Sequence, residues 1–103
     1  MSLHDVSLHD VVRDLLPGVL SDLKDLVAIE SVSADQARAG EVERSAVAIV
    51  RLLVDAGCPD ARVVRANGGA PAVIARFPAP AGMPTVWMYA HHDVKPEGDP
   101  AGW

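Results

Sequence analysis

A chain of 103 residues, half of them hydrophobic and only 4% aromatic, has room for one small domain with a core of Val, Leu, Ile and Ala, and is too apolar for disorder. Its net charge of −5, with Lys and Arg scattered singly, argues against nucleic acid and anionic membrane surfaces as partners, since both demand concentrated positive charge. The lone Cys58 excludes an internal disulfide. No basic n-region or long unbroken apolar run marks a signal peptide or membrane span, so a cytoplasmic location is expected.

Residues 2–11 read SLHDV-SLHDV, a tandem repeat of five. Its two His-Asp pairs suggest a metal or proton-relay device. A spacing of five, however, does not place side chains on one helix face. The preferred reading is a solvated, flexible leader over residues 1–10, with no role for His4 or His9. Over residues 10–30, Leu16, Leu20, Leu23 and Val27 recur at spacings of four, three and four, with Val12 and Leu26 near the same stripe, which predicts a helix. Pro17, inside that pattern, is expected to kink the helix or to open a second one. Residues 31–35, Ser-Val-Ser-Ala-Asp, read as a loop.

A second helix is predicted from Ala37 or Glu41 to Ala56, with Val42, Ala46, Ile49, Val50 and Leu53 on one face. Gly57 suits a left-handed cap and Pro59 forbids continuation. Cys58 reads as a small packed residue rather than a reactive thiol, having no basic neighbour in sequence. Three strands are then expected: residues 62–66, residues 72–77, and residues 85–90. The Asn67-Gly68-Gly69 turn favours an antiparallel hairpin for the first two. The third lacks polar alternation, as does a strand covered on both faces. The fold class is therefore α/β, two helices followed by three strands.

The third predicted strand runs into His91-His92-Asp93. Because successive strand residues alternate faces, His91 and Asp93 should share a side, with His92 turned away. Asp93 then accepts a hydrogen bond from one nitrogen of the His91 imidazole while the other nitrogen is left for a metal, an arrangement that fixes the tautomer. The competing reading is the polar end of a buried strand. In open α/β sheets ligands bind beyond the carboxyl ends of strands, which favours a site.

The stretch MYAHHDVKPEGDPAGW, residues 88–103, resembles the first metal-ligand motif of the zinc-dependent aminoacylase/dipeptidase superfamily. That superfamily includes carnosinase-type dipeptidases, succinyl-diaminopimelate desuccinylases and glutamate carboxypeptidases. Ala90, His91, Asp93, Val94 and Pro96 match the motif. GDPAGW, residues 98–103, is similar to the dipeptidase branch, and DLKDLVAIESVSAD, residues 22–35, resembles the family's first helix and SVS loop. The resemblance implies that His91 is a zinc ligand and that Asp93 is the catalytic-site carboxylate that orients it. It further implies two zinc ions, or other divalent metals, bridged by water and an aspartate, with a glutamate as general base. The substrate implied is a dipeptide, or in the runner-up reading an N-acyl amino acid, and the parent protein is expected to be a homodimer.

His92 occupies the motif's variable position and is expected to face away from the site. Lys95 departs from the Gln or Val often found there. Glu97 and Asp99 read as loop residues. The remaining ligands belong, by family order, after Trp103. The chain is therefore expected to be an N-terminal fragment of the catalytic domain with an incomplete sheet, inactive by itself, weak in zinc binding and self-associating. A non-catalytic interaction fragment, whose apolar strand adds to a partner's sheet, is the reading from another class.

Overall fold

A computed structural model describes residues 7–103. The first copy of the repeat, residues 2–6, lies outside the described residues. The second copy does not stay outside the helix: Ser7 is the N-cap residue of α1, Leu8–Ala28, so Leu8, His9 and Asp10 form its first turn. The helix runs through Pro17 as one element, so the second helix that Pro17 could have opened is not formed. Proline's missing N–H removes only the bond it would give to the Arg13 carbonyl, and the surrounding turns are good helix formers. α1 buries no residue; even Leu16, Leu20, Leu23 and Val27 on the predicted stripe are at least half exposed or close to it.

Helix α2 spans Ala39–Asp55, preceded by a short 3-10 turn over Gln36–Arg38. Asp35 caps that turn by accepting a hydrogen bond from the Ala37 N–H at 3.0 Å. At the far end Gly57 takes φ 102°, the left-handed conformation expected of it, and the Gly57 and Cys58 N–H groups close onto the carbonyls of Val54 and Leu53. The predicted face is the packed one: Val42 and Ala46 are buried, and Ile49, Val50 and Leu53 are half-buried.

Against that face lies a two-stranded sheet of β1, Arg62–Val64, and β2, Ala72–Ile74, antiparallel with Arg62 opposite Ile74 and Val64 opposite Ala72. Asn67 at φ 53° and Gly68 at φ 70° form the centre of a tight turn closed by the Gly69 N–H on the Ala66 carbonyl at 2.9 Å. Positive φ at both central positions matches strand twist, and the Asn-Gly pair supplies it at least steric cost. Cys58 is buried between helix and sheet, its sulfur 3.1 Å from Asp60 Oδ1 and 3.2 Å from the Arg76 carbonyl. Burial, then the neighbouring Asp60 carboxylate, push the thiol pKa up, so Cys58 stays a neutral packing residue.

The third strand is not formed. Residues 85–90 form no regular element and carry no ladder hydrogen bonds, and Val86, Trp87, Met88 and Tyr89 stand in solvent rather than between two layers. A strand is defined by its partner, and this segment pairs with neither β1 nor β2. The fold is thus mixed α/β, with two α-helices and two strands among the described residues. With α1 and residues 85–90 projecting, the radius of gyration is 17.0 Å, well above the roughly 13 Å of a close-packed chain of this length. No helix among the described residues is long and apolar enough to cross a membrane.

Candidate metal-ligand site

Residues 31–35 run from a buried root, Ser31 and Val32, to an exposed tip at Ser33 and Ala34. Residues 91–97 lie along this loop. The Val94 N–H donates to the Ser31 carbonyl at 3.0 Å, and the Ser31 hydroxyl reaches the His92 carbonyl at 3.4 Å. Farther out, the Arg38 guanidinium grips Glu97 with two parallel bonds, Nη1 to Oε2 at 2.8 Å and Nη2 to Oε1 at 2.6 Å. Arg38 also contacts Asp35 at 3.2 Å, and the Trp103 indole N–H donates to the Glu97 carbonyl at 2.9 Å.

Between these anchors the side chains alternate as they would on a strand. His91 and Asp93 share a side: His91 Nδ1 is 2.9 Å from Asp93 Oδ1 and 3.1 Å from the Asp93 carbonyl oxygen. Both of those atoms are acceptors only, so Nδ1 carries the proton, and the unprotonated lone pair of the neutral ring sits on Nε2. The imidazole is 75% exposed. It borders an open cleft of about 290 Å³ whose walls include Ser33, Asp93, Val94 and Pro96. The second carboxylate oxygen, Oδ2, accepts a hydrogen bond from the Ser33 hydroxyl. That bond first, and His91 second, hold the Asp93 carboxyl below its usual pKa, so it stays an anion and an acceptor.

His92 points the opposite way and has no nitrogen to spare. Nε2 is 3.3 Å from the Pro71 carbonyl, which can only accept, so Nε2 carries the proton; Nδ1 then takes the Ser45 hydroxyl at 3.0 Å. Ser45 is fully buried on α2 and lies 3.0 Å from the His92 carbonyl as well. His92 therefore ties α2, the hairpin loop and residues 91–93 together. One histidine of the pair faces the cleft with a free nitrogen; the other is committed to internal bonding.

Glu97 and Asp99 are occupied too. Glu97 holds Arg38, and Asp99 Oδ1 accepts the Ala101 N–H at 2.9 Å, capping a short turn at Pro100–Gly102. Among the described residues no three His, Cys, Asp or Glu side chains gather into a metal-holding group, so His91 and Asp93 stand as a pair. Ser33, Ser45 and Arg38 were absent from the sequence reading as site residues. Their partners lie 60, 47 and 59 residues away, and no local spacing encodes such contacts. Comparison with protein-family models, with curated proteins and with solved structures finds no match.

The Arg38 fork holds the Glu97 pKa down to about 2 and raises that of the guanidinium. A depressed carboxyl contributes stability at pH values above its unfolded pKa of about 4.3, and that contribution is lost as pH falls through the folded value. In a carboxyl-carbon NMR titration Glu97 is therefore expected to remain ionised at pH 3, where exposed glutamates are protonated. Arg38→Gln should return it to the ordinary range. An unchanged midpoint in that variant would mean the fork is not formed in solution.

Proposed function

We propose that this chain carries one corner of the metal site of a zinc-dependent dipeptidase or related amidohydrolase. His91 Nε2 supplies a metal ligand, Asp93 holds the ring behind it, and the other ligands and the general base come from sequence outside these 103 residues. The observation that carries this reading is the bond from His91 Nδ1 to Asp93, which leaves Nε2 of the neutral ring unprotonated on an exposed side chain that borders the cleft. A carboxylate behind a ligating histidine fixes its tautomer and raises its basicity. The donor set fits zinc, for which neutral imidazole nitrogen is a preferred ligand. When bound, zinc polarises an amide carbonyl and acidifies water. The resemblance of GDPAGW to the dipeptidase branch favours dipeptides over N-acyl amino acids.

Catalytic zinc takes three protein ligands, and the pair here offers one nitrogen with its carboxylate. The 103-residue chain by itself is thus expected to hydrolyse no dipeptide and to bind zinc only weakly. The test is a zinc titration of the 15N-labelled chain followed at the imidazole nitrogens. His91 Nε2 should move, His92 should stay still, and His91→Ala should remove the response. Equal movement at both rings, or none at millimolar zinc, would overturn the reading. Reading the coding frame past Trp103 for a Gly-rich segment with Asp and then Glu-Glu is an independent check.

A second reading is favoured by a different observation, the unpaired apolar run at residues 85–90. Its backbone donors and acceptors are free, and its side chains match the composition of a strand. The occupant it fits is a second copy of this chain, whose own run and open sheet edges present the same unpaired groups.

A further inference from the structure

We infer that Ser33 is a positioning residue for the His91–Asp93 pair, an inference that rests on the reading of His91 as a metal ligand. A carboxylate at the end of a short side chain turns easily, because the torsion that carries it is broad and two-fold. The His91 Nδ1–H is shared between Oδ1 at 2.9 Å and the Asp93 carbonyl at 3.1 Å; were Oδ1 the carboxylate's sole tie, Asp93 could swing away and leave the tautomer to the longer backbone contact alone. Here the second oxygen is also held. An ionised carboxylate only accepts, so the Ser33 hydroxyl donates to Oδ2. With both oxygens engaged, the carboxylate plane is set and Oδ1 stays on Nδ1.

The loop that carries Ser33 is itself anchored on both sides of Asp93. Ser31 is buried; its carbonyl takes the N–H of Val94, just after the aspartate, and its hydroxyl reaches the carbonyl of His92, just before it. Val32, also buried, fixes the root of the loop in the core. Ser-Val-Ser is thus a cradle: two serines grip the 92–94 backbone and the Asp93 side chain, with a valine between them as the anchor. Because Ser33 is itself exposed, removing its hydroxyl leaves the core untouched.

The experiment compares wild type, Ser33→Ala and Ser33→Thr by 15N–1H correlation of the imidazoles without metal. The spectra are recorded on the basic plateau, where the ring nitrogen shifts no longer change with pH, so that the tautomer is read directly. Wild type should hold the proton on His91 Nδ1. Ser33→Ala should shift the ring toward the Nε2–H form and lower zinc affinity at His91 by roughly tenfold, the scale on which ligand-orienting partners act. Ser33→Thr, which keeps the hydroxyl, should restore both. A fixed Nδ1–H tautomer in Ser33→Ala overturns the inference, whatever zinc does. If Ser33→Ala releases the tautomer while zinc leaves wild-type His91 unmoved, the positioning stands and the ligand reading fails.

Discussion

Ser45→Val is expected to destabilise the chain by about 1–3 kcal/mol, as a lower urea midpoint with little change in slope. The side chain is completely buried on the packed face of α2, so valine removes the hydroxyl and adds a methyl; threonine adds the same methyl but keeps the hydroxyl, so comparing the two isolates the hydrogen-bonding loss. What remains behind is the half-buried His92 Nδ1, which loses the hydroxyl at 3.0 Å; the His92 carbonyl, which shared the same single proton, keeps the Ser31 hydroxyl at 3.4 Å. Leaving buried polar groups unpaired costs their desolvation, whereas an exposed pair would simply turn to water. The penalty is large here because the core is small: Val32, Val42, Ala46, Cys58 and Ala61 are its buried hydrophobic members. Ser45→Thr, which keeps the hydroxyl, should recover much of the loss. A Ser45→Val chain as stable as wild type would mean that His92 is not fixed by α2. The same variant should also loosen residues 91–93, visible as faster amide exchange at Val94.

The second large effect concerns association. Val86, Trp87, Met88 and Tyr89 are 79–93% exposed in one continuous run, and pairing as a strand would put Val86 and Met88 on one face and Trp87 and Tyr89 on the other. An extended segment with free backbone groups and high strand propensity is a template for pairing with another chain. At tens of micromolar, the chain is expected to elute from size exclusion well ahead of a monomer, with an elution position that depends on concentration. The double variant Val86→Lys with Met88→Lys should bring it back to a monomer, since charges on an edge strand oppose pairing. Wild type running as a monodisperse monomer at every concentration would count against the second reading. If the double variant associates as strongly as wild type, the contact lies elsewhere, and the exposed stripe of α1 would be the surface to mutate next.

The sequence by itself determined the local elements that follow from short-range physics. Apolar spacing gave α2 and its packed face, Gly57 and Pro59 marked where it ends, and Asn67-Gly68 set the hairpin turn. The same strand-like alternation put His91 and Asp93 on one side and His92 on the other. That survives without a strand, because alternation belongs to extended backbone and needs no ladder. Tertiary structure decided what depends on distant partners. Residues 85–90 have every local mark of a strand, yet pairing is a property of two segments, and the second is missing. Pro17 carries the local mark of a break, yet α1 continues through it as one helix. Ser33, Ser45 and Arg38 matter only because folding brings residues 47 to 60 positions downstream against them, and such contacts are settled by packing, which no local pattern records.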